Sequence, residues 1–181
     1  MRHNDIKFVI RPAGLDDADV IGHIHFLAKS HKNHHAHTET EKLYKDNWIR
    51  YLRDSVNVLL ALNLENVPLG FIAFGPLKTP PAKQGRVQKY TSEIYGIYVH
   101  PDAWRQSVGR LLMDHAARHL TAQGHSTAVL WVNQSNKQAM AFYKSLGGVG
   151  CGRHNAILDG KPAIERAIAW DDLNALIEKE I

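Results

Sequence analysis

The 181-residue chain has one cysteine, Cys151, so it closes no internal disulfide and builds no cysteine-based zinc site. It also lacks long apolar runs. Stretches such as Val58–Leu62 are strand-sized, well short of the ~20 residues that a membrane-spanning helix needs. Basic residues never stand four in a row, and 22 Lys and Arg against 18 Asp and Glu leave a net charge of only +4. So mild and scattered a bias argues against nucleic-acid binding, although its sign suits a small anionic ligand. No repeat or low-complexity linker divides the sequence, and Met1–Asp5 has none of the apolar character of a signal peptide. With 44% hydrophobic and 22% charged residues, the composition is that of an ordinary globular protein. The expectation is a cytoplasmic protein whose domain spans residues 1–170, followed by a helical tail over 171–181. What the chain has in excess is histidine, 12 residues, with His23, His25, His31, His34, His35 and His37 falling close together.

Strand and helix patterns alternate. Ile6–Arg11 reads as a strand stopped by Pro12, a helix runs from Leu15 to about Lys29, and a second covers Glu39–Arg53. Val56–Leu62 and Leu69–Phe74 flank turn residues and predict a hairpin. Leu77–Lys89, with two prolines and four basic residues, predicts an exposed loop. Ser92–Val99, Val108–Ala122 and Thr127–Val132 form a strand–helix–strand crossover, which makes the two strands parallel. A helix over Ser135–Leu146, strands over Val149–Leu158 and Ala163–Trp170, and a polar helix over Asp171–Lys179 complete the order. The fold class is a mixed α/β sheet.

Two constellations carry chemistry. In the first, a strand ends at Val99, a short polar loop follows, and a helix opens near Val108. Amides at a helix start bind phosphate, and small residues such as Ser107 and Gly109 let a pyrophosphate come close, with Arg105 and Arg110 adding charge. A bland loop carries the same residues. In the second, Asn136, Ala139 and Tyr143 share one helical face. A phenol is protonated at neutral pH and can donate a proton to a leaving thiolate. The alternative is an amphipathic helix whose tyrosine packs in the core. Cys151 opens a strand with no adjacent histidine and reads as a small apolar residue.

Together and in this order, the two constellations resemble the GNAT superfamily of acetyl-CoA-dependent N-acetyltransferases. The resemblance begins at Ile10-Arg11-Pro12-Ala13 with Asp16-Asp17-Ala18. It continues through Gly70–Pro76 and Glu93–Pro101 and ends on Asn136…Phe142-Tyr143…Leu146-Gly147, which is nearly the whole chain. It implies an acyl-CoA N-acyltransferase-like sheet of about seven strands with helices on both faces and strands four and five splayed. The family's loop usually opens with Gln or Arg and has Gly where Ser107 stands. Here Trp104 takes the polar first position, and a reshaped rather than abolished cofactor site is expected. If the backbone at 107 needs positive φ, Ser costs on the order of 1 kcal/mol there.

What the resemblance implies is transfer of acetyl from acetyl-CoA to a primary amine by direct attack in a ternary complex, with no metal. Cofactor contacts fall to Ile97, Val99, Arg105, Gln106, Ser107, Val108, Gly109, Arg110, Asn136, Ala139 and Tyr143. Tyr143 is the acid, and Glu93, a His or a water chain is the base. Phe26, His31 and Tyr95 face the acceptor, a small-molecule or peptide amine. Dimers are common among similar proteins, so a homodimer fits, and neither nucleic acid nor membrane is a partner. The rival readings are a CoA-binding or regulatory module without turnover and, from composition alone, a His-rich metal-binding protein.

Overall fold

The structure, a computed structural model, describes residues 8–30, 40–54, 56–79, 85–158 and 160–178. Its elements follow the alternation seen in the sequence. Strands β1 (Phe8–Pro12), β2 (Asn57–Asn63), β3 (Pro68–Pro76), β4 (Ser92–Val99), β5 (Ala128–Asn133), β6 (Val149–Leu158) and β7 (Lys161–Trp170) lie in one sheet, ordered β1-β2-β3-β4-β5-β7-β6. Helices α1 (Ala18–Ser30) and α2 (Glu41–Arg53) follow β1; α3 (Val108–Ala122) and α4 (Lys137–Ser145) flank β5. The sheet is mixed. β1 runs antiparallel to β2, β5 to β7 and β6 to β7, while β4 and β5 are parallel as the crossover requires. The β4–β5 register covers Ser92↔Ala128 and Glu93↔Val129, whereas β4 continues to Val99.

The chain packs as two compact units, the first made of residues up to Ala73 with Ile97–Leu112, the second of Phe74–Gly96 with residues from Met113 on. In the first, Ile21 and Ile24 of α1 and Leu60 and Ala61 of β2 are fully buried. Ile21 and Ile24 lie one helical turn apart on one face of α1, whereas the adjacent Leu60 and Ala61 point to opposite faces of β2, so that strand is buried on both sides. Arg11 pairs with Asp17 at 2.7 Å, and Asp17 also accepts from Gly14 N–H, so the end of β1 is tied to the start of α1. In the second, Leu77, Val87, Tyr90, Val129, Trp131, Cys151, Ala167 and Ala169 pack as one cluster. The region expected as an exposed loop therefore packs Leu77 and Val87 into this cluster, Val87 on a 3-10 turn over Gly85–Lys89, with Tyr90 buried just after it.

The tail differs from expectation too. Where a polar helix was expected over Asp171–Lys179, the described residues 171–178 form only a short 3-10 turn over Leu173–Leu176. Asp172 caps Asn174 N–H, Leu173 N–H donates to Ser126, and Leu173 and Leu176 are buried. Their side chains, rather than helix periodicity, decide how the segment ends. Among the described residues no helix is long and apolar enough to cross a membrane.

Candidate active site

The expected site residues fall into two groups, each inside one unit. The first group is the end of β4 with the loop into α3. His100 N–H donates to Leu69 O on β3 at 2.7 Å. Hydrogen-bonded pairs alternate along an antiparallel ladder, so the main-chain groups of Ile97 and Val99 face away from β3. Trp104 Nε1 donates to Val99 O at 2.8 Å, which commits that carbonyl and straps the loop to the strand end. Gln106 reaches back to Asp102 O at 2.8 Å.

Arg105 and Ser107 have φ of 61° and 67°, the left-handed region that L side chains seldom enter. The condition set by the sequence at position 107 is thus met. Arg105, Gln106 and Ser107 are exposed. Leu111 N–H closes the first helical bond on Ser107 O. The amides of Val108 and Gly109 precede that bond and have no carbonyl one turn back within the helix to receive them. Left-handed residues in a turn can aim successive amides to one side, an arrangement that suits an anion. Polarity, exposure and the positive helix end all suit a phosphate.

α1 and α2 supply the acceptor-side candidates of the same unit. His31 lies outside the described residues, as do His34, His35 and His37. Phe26 stacks edge-on to Tyr44 at 6.0 Å. His23 and His25 do not converge as metal ligands would. His23 Nδ1 lies 3.0 Å from Glu41 on the surface, while His25 points inward among Tyr44, Phe71 and Tyr98. Trp48 Nε1 donates to His25 Nδ1 at 3.1 Å, so the ring proton sits on Nε2, a buried atom with no hydrogen-bond partner. Burial first, and Lys29 second, push the imidazole down to about 3, and His25 is neutral at physiological pH. Among the described residues no three His, Cys, Asp or Glu side chains gather as a metal site.

The second group lies on β4, β5 and α4. Glu93 is buried, and its Oε2 accepts from Lys78 N–H at 2.9 Å, Thr79 N–H at 2.8 Å and Thr79 Oγ1 at 3.0 Å. Tyr95 donates its hydroxyl to Pro76 O at 2.7 Å and has Lys78 Nζ 4.5 Å above its ring. Burial, then the Glu93 charge, push the Tyr95 phenol up to about 12. Asn136 is the N-cap of α4, its Oδ1 accepting from Ala139 N–H at 3.1 Å. Tyr143 is buried, its ring edge-on to Trp170, whose indole N–H donates to Leu146 O. The thiol of Cys151 is pushed up by burial, so it stays protonated, as its reading as a packing residue requires.

Three features went unseen in the sequence: the Trp104–Val99 bond, the His25–Trp48 bond, and the bond from Trp131 Nε1 to Thr79 Oγ1 at 2.9 Å. The last two join residues far apart in the sequence, and the first reaches back across an irregular loop, so no periodic pattern announces them.

Comparison with known proteins agrees with the order of these elements. The uncharacterized N-acetyltransferase YuaI of Bacillus subtilis is 26% identical over 173 residues, which is 92% of this chain and 95% of that protein. The [Ribosomal protein bS18]-alanine N-acetyltransferase of Escherichia coli is 43% identical over 54 residues, 30% of this chain and 36% of its own. Among solved structures, yncA from Salmonella typhimurium with its cofactor acetyl-CoA superposes with a TM-score of 0.67 at 20% identity, over 92% of this chain and 94% of that one, which is a likeness of fold. A family profile described as "Acetyltransferase (GNAT) family" matches residues 24–147, from α1 to the end of α4. The chain belongs to the acetyltransferase (GNAT) family and is an acetyl-CoA-dependent N-acetyltransferase.

Proposed function

We propose that this enzyme acetylates a primary amine, of a small molecule or a peptide end, by direct attack on acetyl-CoA in a ternary complex. Acetyl-CoA supplies the activated acetyl group. The observation that carries the reading is the exposed loop into α3, where Arg105 and Ser107 hold left-handed backbone and the amides of 108 and 109 precede the first helical bond. In this reading residues 105–110 hold the pyrophosphate, with the Arg105 and Arg110 side chains adding charge. The main-chain groups of Ile97 and Val99 that face away from β3 align the pantetheine, with Val99 contributing its N–H because Trp104 takes its carbonyl. Asn136 and Ala139 line the first turn of α4 for the same ligand, and Tyr143 gives its proton to the sulfur as the thioester breaks.

In this reading Phe26 and Tyr95 border the amine. The name of the Escherichia coli relative, which acts on an alanine of a ribosomal protein, supports a peptide amine as one acceptor class. In this reading the amine's proton leaves through water, and Glu93, whose Oε2 already accepts three hydrogen bonds, holds residues 78–79 in place. A cytoplasmic location suits a chain whose only thiol is unpaired.

The test is acetyl-CoA consumption over a panel of amines, run with calorimetry of CoA binding on wild type and Gly109→Glu. A carboxylate at a helix N-terminus that must receive phosphate removes up to ~2 kcal/mol, so CoA affinity should fall roughly 3- to 30-fold. Equal affinity in a folded Gly109→Glu enzyme would move the pyrophosphate elsewhere.

A further inference from the structure

We propose that Glu93, Thr79 and Trp131 form an anchor that holds residues 75–79 as a strap over β4, and that Glu93 serves the reaction as a positioning residue acting through that strap. The proposal rests on the reading that Tyr95 borders the acceptor amine.

The strap begins where β3 ends. Gly75 is required there, because a Cβ at 75 would stand 2.7 Å from the Tyr95 hydroxyl. That hydroxyl donates to Pro76 O at 2.7 Å, and the Lys78 ammonium then lies over the Tyr95 ring. One step further, the Glu93 carboxylate receives the amides of Lys78 and Thr79 and the Thr79 hydroxyl, all on Oε2. The hydroxyl itself accepts from Trp131 Nε1 at 2.9 Å. Accepting from the indole, which can only donate, leaves the Thr79 proton for Glu93, so the direction of every bond is fixed.

The sheet explains the convergence. Glu93 pairs with Val129 in the parallel β4–β5 register, and Trp131 follows Val129 by two residues, hence on the same face. Tyr95 follows Glu93 by two and shares that face as well. Thr79 and Glu93 are both buried, and hydrogen bonds to an ionised group in such surroundings are stronger than neutral ones. The strap thus has two attachments, Tyr95 to Pro76 and Glu93 to residues 78–79, and between them it sets the height of Lys78 above Tyr95.

The arrangement makes a prediction that a proton acceptor at Glu93 does not. An anchor acts on where the amine sits, so Thr79→Val should resemble Glu93→Gln. Both should lower kcat/KM for the amine by roughly 10- to 100-fold, the range for a displacement of about 1 Å. The loss should lie mainly in the amine KM, the acetyl-CoA KM should hold, and the pH profile of kcat should keep its wild-type shape. Because the two residues act as one unit, the double variant should cost little more than either alone.

A base predicts otherwise: Glu93→Gln alone would lower kcat and displace the acidic limb of its profile, Thr79→Val would be near normal, and the two effects would multiply. That pattern overturns the proposal. If Glu93→Gln does not fold, Thr79→Val decides, and wild-type amine kinetics in that variant overturn the anchor. Tyr95→Ala is the control on the underlying reading. A normal amine KM there removes Tyr95 from the acceptor side and the proposal with it. A raised amine KM there beside normal kinetics in Thr79→Val defeats the anchor alone.

Discussion

At position 107 an L side chain sits at φ 67°, and two residues earlier Arg105 sits at 61°. Left-handed backbone costs an L residue roughly 1–2 kcal/mol, while glycine returns about 0.4–1 kcal/mol of that through the entropy of the unfolded chain. Ser107→Gly should therefore be neutral or slightly stabilising. Ser107→Val, whose branched Cβ is least tolerant of that region, should lower the melting temperature. Thermal melts of the two variants check the pair, and a Ser107→Val protein as stable as Ser107→Gly would deny the strain.

His25 gives a second test at this scale. Its folded value is depressed to about 3, below the ordinary 6.5, so between those values the unfolded chain binds a proton that the folded chain refuses. Stability from this site is complete above pH 6.5 and is lost as pH falls, at up to ~1.4 kcal/mol per pH unit. Urea unfolding at pH 7 and pH 4.5 should show a smaller drop for His25→Gln, which keeps an acceptor for the Trp48 N–H but does not titrate. Parallel drops would mean that the imidazole charges freely in the fold. The exposed, polar character of residues 105–107 was legible in the sequence because small and basic residues stand together there. The environment of His25 was not, since Trp48, Phe71 and Tyr98 reach it from other elements.

Among the elements, strands and helices with clear periods were readable to within a few residues. The β4–α3–β5 crossover is the clearest case, because its helix spacing and its continuous apolar strand leave one arrangement. The two segments that departed from expectation, the Gly85–Lys89 turn and the tail, are short and mostly polar, with one buried apolar side chain in the turn, Val87, and two in the tail. A pattern that short has no period to read. The tail is also held by polar bonds: Glu178 N–H donates to the buried Asp114 carboxylate at 2.6 Å, and Arg118 donates to Glu178 O at 2.7 Å. Truncation after Trp170 should destabilise the protein by roughly 3 kcal/mol or more from the burial of Leu173 and Leu176 alone. Denaturant midpoints of the full and shortened chains measure this, and equal midpoints would show a tail that contributes nothing.

For the whole molecule, family membership was legible from an ordered set: the opening Arg11-Pro12, β3, β4, the loop and the Asn136–Gly147 helix. No single piece is specific, and the profile match over 24–147 covers four of the five. The acceptor was not legible, because neither periodicity nor turn chemistry in the sequence dictates which amine is bound. The account turns on Tyr143, whose buried ring packs on Trp170 and whose hydroxyl is assigned the proton for the departing sulfur. Phe at this position keeps the ring, so the direct measurement is turnover of Tyr143→Phe alongside its acetyl-CoA affinity and melting temperature. Loss of a general acid predicts turnover reduced by about 10²–10⁴-fold with the other two quantities unchanged, whereas normal turnover with a lowered melting temperature would make Tyr143 a core residue and contradict the mechanism.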